Sequence, residues 1–330
     1  KPICLVTAPV ATRSGYGAHS RDIIRALVKL DRYDVKIWNV RWGNCSMNAL
    51  NKEDPNDKII IDRMLQTPEL SKQPEIHIHI VIPNEFQPSG KFNIGITAGL
   101  EKTACPAEWL QGMNRMDMNI VPSNFVKDSM TSIAFDVQDK ETNKIQGQLK
   151  VEKPVEVLFE GVDTNIFKKT TEFSKELVDV MKSVKESFNF LFVGHWLQGK
   201  LGHDRKDTGM LVKVFLETFK NMKNAPGLIM KSSGATFSIL DREDMLDRIN
   251  QIKDTIKGDL PNIYLIHGDF TDDEMNELNN HPKVKAHVNI THGEGFGRPL
   301  LEATISQKPV IASNWSGHID FLPKSSAVLL

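Results

Sequence analysis

Short apolar runs alternate along this chain with stretches of helical spacing, and the whole alternation occurs twice. Residues 1–8 form an apolar run that ends in a loop at 9–17, and over 18–30 the side chains of Ile23, Ile24, Leu27 and Val28 fall on one helical face. Further strand candidates follow at 33–40, 76–82, 92–98 and 118–121, separated by loops or helices. A second series opens at 188–193 and continues through a helix at 207–221, a strand at 227–231, a helix at 242–257, a strand at 263–267, a helix at 271–279 and a strand at 284–290. Strands alternating with helices in this way predict an α/β protein with parallel, doubly wound sheets. Two Rossmann-like halves are expected, 1–158 and 159–330, with a charge-rich linker over 160–187. Residues 43–73, polar and rich in Asn, Asp and Lys, are expected to hold a helix and an irregular loop.

The most informative stretch follows the last of these strands. Glu294 and Glu302 have seven residues between them, and Gly293, Gly295 and Gly297 surround the first carboxylate. Arg298 and Pro299 open a helix, where proline is tolerated in the first turn, so the order is strand, glycine loop, helix. Backbone N–H groups at such a helix start lack partners and carry the positive end of the helix dipole, which favours an anion such as a diphosphate. Glu302, further down the helix, can accept hydrogen bonds from sugar hydroxyls. A ligand that is part anion and part polyol suits this pair, and a nucleotide-sugar is such a ligand.

Other segments place chemistry at loop positions. Ser14, Gly15, Tyr16 and Gly17 lie between the first strand and its helix, without the G-x-G-x-x-G spacing of a dinucleotide site. Arg205 and Lys206 stand together ahead of a helix, and a guanidinium fork with a neighbouring ammonium suits phosphate oxygens. Lys231, Ser232, Ser233 and Gly234 follow one strand, and His267, Gly268, Asp269 and Phe270 follow another. Residues 117–125 read as a strand and then a helix capped by Ser123. His77 and His79 on an apolar strand read as core or surface residues. His281, His287 and His292 lack metal-ligand spacing, and no G-x-S-x-G elbow occurs.

From Thr291 to Leu322 the chain closely resembles the E-x7-E signature of the retaining GT-B glycosyltransferases, including the trailing Lys308, Pro309, Val310, Ile311, Ala312, Ser313 strand and the Ser316, Gly317, His318 turn. Gly161, Val162 and Asp163, with Phe167 after them, resemble the family's turn at the domain boundary. The resemblance implies a GT-B fold, two Rossmann-like domains facing across a cleft, with the acceptor on the N-terminal side and the nucleotide-sugar on the C-terminal side. It implies transfer of a hexose to an acceptor hydroxyl with retention of configuration, by Glu294, Arg205 and Lys206, with no metal or other cofactor. Carried over residue by residue, it places Gly15, Tyr16, Gly17, Gly295, Phe296, Gly297, Glu302, Ser232 and Gly268 at the donor and Glu101 at the acceptor. In the family the second domain continues for several elements beyond the place that Leu330 occupies, so either further elements follow there or the fold closes differently, and the first is expected. The competing readings are a sugar-nucleotide epimerase or glycan phosphorylase of the same shape, and a catalytically silent nucleotide-sugar binding module. The two glutamates do not suit a retaining glycoside hydrolase, whose carboxyls flank the bond about 5 Å apart.

Length and composition narrow the setting. A chain of 330 residues accommodates two domains. With 40% apolar and 25% charged residues and a net charge of −1, it reads as an ordinary soluble protein that does not advertise nucleic-acid binding. The acceptor class stays open: a glycan, a small metabolite, a protein or a nucleic-acid base. Cys4, Cys45 and Cys105 are far apart without C-x-x-C spacing, which favours reduced thiols and a cytoplasmic protein. The run at 76–82, interrupted by His77 and His79, is too short to cross a bilayer.

Overall fold

Two parallel six-stranded sheets organise the computed structural model, one in each of two compact units, Lys1–Gly161 and Val162–Leu330. The structure describes residues 1–99, 102–139, 141–142, 144–197, 199, 201–234 and 236–330.

The first unit runs β1 (Ile3–Ala8), α1 (Gly15–Leu30), β2 (Asp34–Asn39), α2 (Pro55–Ile61), β3 (Ile76–Ile80), β4 (Phe92–Ile96), α3 (Ala107–Arg115), β5 (Met118–Val121), α4 (Asn124–Ser132), β6 (Ala134–Gln138), β7 (Ile145–Lys150) and β8 (Val155–Val157). Its sheet has the order β2-β1-β3-β4-β5-β8, with every neighbouring pair parallel. β1 is buried along its whole length, as a central parallel strand covered on both faces must be. Helix α1 starts earlier than the apolar spacing indicates, because the Ser14 hydroxyl accepts from the Gly17 N–H and draws Gly15, Tyr16 and Gly17 into the first turn. Ser123 caps α4 through Val126 N–H, as expected. β6 and β7 form a separate antiparallel hairpin that the hydrophobic pattern did not reveal. Nearly all of its residues face solvent, and the short alternation over 135–138 and 145–150 leaves Phe135 and Leu149 only partly buried.

The second unit runs α5 (Lys175–Lys182), β9 (Asn189–Val193), α6 (Thr208–Phe219), β10 (Gly227–Lys231), α7 (Ile239–Asp254), β11 (Ile263–Ile266), α8 (Asp272–Asn280), β12 (Val284–Asn289), α9 (Arg298–Ile305), β13 (Val310–Ala312) and β14 (Ala327–Leu329). The expected charged linker contains α5. Its Ser174 cap donates to Glu277 of α8 at 2.6 Å, and Leu177 and Met181, one turn apart, are buried with Leu191 and Leu278. Helix α7 begins at Ile239, ahead of the predicted start, because Ser238 caps it through Asp241 N–H.

The second sheet has the order β11-β10-β9-β12-β13-β14. From β9 the chain first builds outward through β10 and β11, then returns to the other side of β9 with β12. Loops leaving the carboxyl ends of β9 and β12 therefore diverge, and ligands of open α/β sheets bind in the crevice at such a reversal point.

Packing at one glycine is testable. Helix α3 rests on the short 3-10 turn Pro83–Glu85, and a Cβ on Gly112 would stand 1.7 Å from the Pro83 carbonyl oxygen. Gly112→Ala is expected to destabilise the first unit by about 1–3 kcal/mol, read as a lower urea midpoint with little change in slope; an unchanged midpoint would contradict the close approach.

Candidate functional site

The loops that leave β9 and β12 are stitched together by backbone. Asn289, at the end of β12, accepts from Thr291 N–H at 3.0 Å. The Arg205 carbonyl then receives both the His292 N–H (3.0 Å) and the Thr291 hydroxyl (3.1 Å). Ser313, just after β13, donates to the Thr291 carbonyl at 2.8 Å. Within the glycine turn, the Glu294 N–H donates to Ser316 Oγ (3.0 Å) and the Glu294 carbonyl accepts from Gly317 N–H (2.9 Å). Gly317 is required here: a Cβ would stand 1.9 Å from the Gly295 carbonyl oxygen. Gly297 adopts φ +94°, a left-handed conformation that glycine takes without strain, and hands the chain to α9. Phe296 is buried against Phe321, with ring centroids 4.9 Å apart.

This stitching carries the Glu294 carboxylate inward. Glu294 is 5% exposed and Lys206 6%. The Lys206 ammonium donates to Glu294 Oε1, and the Arg205 guanidinium lies 3.6 Å from Oε2. The stem of Lys206 passes close to Gly194, where a Cβ would meet its Cδ and Cε at 3.6 Å. Burial by itself pushes the Glu294 carboxyl upward, but Lys206 and Arg205 outweigh it and hold the group below its ordinary range. The site therefore contains an ionised, buried carboxylate facing two cations. Asp204, also buried, caps the start of α6 by accepting from Thr208 N–H at 2.7 Å.

Two imidazoles complete the surroundings. His195 Nδ1 lies 3.1 Å from Ser233 Oγ, and its pKa is pushed down by burial and then by Lys206, Arg205 and Lys231. His318 is lowered chiefly by burial, and its Nε2 lies 2.7 Å from the Ser313 carbonyl. Ser233 belongs to the loop segment 231–234 that the sequence marks, whereas nothing in the sequence analysis marks His195. The signal for His195 was available in its place next to Gly194, directly beyond a buried strand.

The remaining second-unit candidates lie along the same carboxyl edge of the sheet. Glu302 is held by Arg298 at 3.1 Å, an i,i+4 pair on α9. Ser232 is buried, with its N–H on the Ile266 carbonyl. The Gly268 carbonyl accepts from Lys231 Nζ at 2.7 Å, and that ammonium lies over the Phe270 ring at 4.8 Å. Burial pushes Lys231 down to about 8. Beside it, His267 Nε2 lies 2.7 Å from Asp241, which also accepts from Gly234 N–H.

In the first unit, Gly15, Tyr16 and Gly17 sit in the opening turn of α1, not in a free loop. The Tyr16 hydroxyl accepts from Ala98 N–H (3.0 Å) and lies 2.9 Å from Thr97 Oγ1, while its ring stacks on Trp42 at 4.0 Å. Gly17 is needed for packing, since a Cβ would stand 2.2 Å from the Thr12 carbonyl oxygen. Glu101 lies outside the described residues. His77 and His79 are core residues: His77 Nε2 is 2.9 Å from Thr7 Oγ1, His79 Nδ1 accepts from Gln87 N–H, and burial lowers both to about 4. Among the described residues, no three His, Cys, Asp or Glu side chains come together as a metal site, and no helix is long and apolar enough to cross a membrane.

No family model matches the chain, and no curated protein matches it in sequence. Solved structures do. The Anabaena protein HepE in complex with UDP-glucose aligns with a TM-score of 0.59 at 12% identity, covering 98% of this chain and 83% of that one. Sucrose-phosphate synthase from Thermosynechococcus elongatus aligns with a TM-score of 0.63 at 12% identity, covering 100% and 86%. WaaG, a glycosyltransferase of lipopolysaccharide biosynthesis, aligns with a TM-score of 0.56 at 12% identity, covering 99% and 85%. The protein thus has the fold of the GT-B glycosyltransferases. At these identities the likeness concerns the fold.

The buried pair predicts its own pH dependence. Glu294→Gln removes one charge and leaves Lys206 buried, which is expected to cost about 3 kcal/mol. Because the folded carboxyl titrates below its ordinary value of 4.5, the pair's contribution is complete above that value and is lost as pH falls through the lower, folded one. The gap in unfolding midpoint between wild type and Glu294→Gln should hold steady from pH 7 down to about 5 and close below it; a gap that widens on acidification would show that the carboxyl is protonated in the folded protein.

Proposed function

We propose that this protein is a glycosyltransferase that moves a hexose from a nucleotide-sugar to an acceptor hydroxyl with retention of anomeric configuration. The observation that carries the reading is the buried cluster of Lys206, Arg205 and Glu294 between the loops of β9 and β12, next to the start of α9. Two cations facing one carboxylate leave an excess of positive charge, beside a helix start that itself favours anions. A diphosphate meets both. HepE was solved with UDP-glucose, which supports a nucleotide-hexose as the donor.

In this reading the N–H groups of Gly295, Phe296 and Gly297 face the diphosphate. Glu302 accepts from ribose hydroxyls while keeping Arg298, since an ionised carboxylate has several acceptor positions. Ser232 and Gly268 border the nucleotide from β10 and β11. Negative charge grows on the diphosphate as the glycosidic bond breaks, and Lys206 and Arg205, already fixed and desolvated, stabilise it without reorganisation. Glu294 keeps Lys206 charged and aimed, and its carboxylate is placed to offset positive charge on the oxocarbenium-like sugar. The departing phosphate takes the acceptor proton on the same face of the sugar, so no separate protein base is assigned. The two fixed cations fill the role that a metal ion has in other phosphate chemistry. Gly15, Tyr16 and Gly17 are assigned to donor binding, and Glu101 to the acceptor.

Lys206→Ala is expected to lower kcat about 10²–10³-fold with a much smaller change in KM for the donor, because the added charge exists only as the bond breaks. Steady-state kinetics on protein shown to be folded by circular dichroism tests this, and a rise in KM with kcat untouched would remove the catalytic role. Glu302→Ala should weaken UDP binding by about 1–3 kcal/mol, through loss of hydrogen bonds to ribose. Calorimetry with free UDP reads it, and unchanged affinity in the folded variant would refute the ribose assignment. A donor and acceptor array with mass-spectrometric readout, scored for the anomer formed, tests the reaction and its stereochemistry.

A further inference from the structure

The opposite edge of the second sheet carries a separate concentration of positive charge. At the amino ends of β12 and β13, a cavity of about 360 Å³ is lined by Lys169, Lys285 and Lys308 together with Thr170, Asn280 and Phe173. None of the three ammonium groups forms an ion pair with a carboxylate among the described residues. Lys308 donates to the His281 carbonyl at 2.6 Å and Lys169 to the Ser306 carbonyl at 2.9 Å. An ammonium has three donors, so each of these lysines keeps capacity after its backbone contact. Burial, followed by the charges of Lys169 and Lys285, lowers Lys308 to about 7, the mark of cations held together without an acid to offset them.

The wall is built rather than incidental. Asn280 is 5% exposed; its side-chain amide donates to the Lys168 carbonyl at 2.9 Å, and its Oδ1 receives the Thr170 N–H at 3.4 Å. Lys168 N–H is held in turn by Asn276 at 3.1 Å. Helix α8 thus fixes the segment that brings Lys169 and Thr170 to the cavity. The space exceeds what a bare phosphate fills and lies in the range of small-molecule sites, and Phe173, Pro282 and Val284 offer a face for a carbon body. Helix α9 separates this cavity from the Glu294 cluster. Its eight residues span about 12 Å, with Gly297 ahead of its start and Ser306 just past its end.

We propose that this cavity is a second ligand site, which takes a small phosphate monoester by contact of its anionic group with Lys169, Lys285 and Lys308. Nothing in the site next to Glu294 is required for it, so it stands or falls independently of the reaction assigned there.

Equilibrium binding of two probes, inorganic phosphate and a hexose 6-phosphate, tests the proposal on the full chain. The hexose 6-phosphate is expected to bind at least threefold more tightly than inorganic phosphate. Lys285→Met with Lys308→Met should lose at least tenfold for both probes, while Lys175→Met on α5 should leave both unchanged. Because Lys169 is exposed, Lys169→Met serves the same purpose should the double variant fold poorly, with an expected loss of at least threefold. Absence of binding to the wild type, or wild-type binding by both the Lys285→Met, Lys308→Met double variant and Lys169→Met, would overturn the site; equal affinity for the two probes would overturn the monoester in favour of free phosphate.

Discussion

Everything at the carboxyl end of the second sheet depends on a carboxylate being ionised where water scarcely reaches it. Desolvating a carboxylate is expensive, and the protein offsets that cost with Lys206 and Arg205 and not by letting Glu294 take up a proton. The arrangement commits the two loops to each other. Lys206 and Arg205 leave β9, Glu294 leaves β12, and neither side of the pair is tolerable without the other. A buried pair of this kind contributes less to stability than a well-packed apolar contact of the same size.

Backbone geometry makes the pair possible. The turn from Gly293 to Gly297 must pass close to the Ser316 and Gly317 turn, and the close approach at Gly317 leaves no space for a side chain. Ser316 then accepts from the Glu294 N–H and Gly317 donates to the Glu294 carbonyl, so both main-chain groups of the residue are held. Only its side chain is left to choose a direction, and the cations from β9 decide it. The same logic appears in miniature at Arg205, whose carbonyl anchors the start of the β12 loop while its guanidinium faces the carboxylate.

Charge is also distributed by the sheet's polarity. At the carboxyl end of the strands, cations are compensated by Glu294 and lie near a helix start. At the amino end, Lys169, Lys285 and Lys308 gather around a cavity, and Lys169 and Lys308 each donate to a backbone carbonyl there. A net charge of −1 over the whole chain conceals both concentrations, because a sum over residues carries no information about where folding places them.

The sequence by itself determined what local spacing can encode. The buried strand β1 is a run of apolar residues, β12 alternates apolar with polar positions, and a cap such as Ser123 marks a helix start through a hydrogen bond to a residue a few positions away. The glycine turn with its proline-started helix, and the adjacent Arg205 and Lys206, were visible for the same reason. Elements whose stability comes from distant partners were less legible: the alternation of β6 and β7 is short and mostly exposed, and α5 hides in charged sequence until Leu177 and Met181 meet α8 and β9. Only the tertiary structure decided that Glu294 pairs with Lys206, 88 positions away, that His195 meets Ser233, and that three lysines share one cavity. Those contacts follow from which strands lie side by side, β10 and β12 flanking β9 and β13 beside β12, and strand order is a property of the whole sheet that no window of sequence contains.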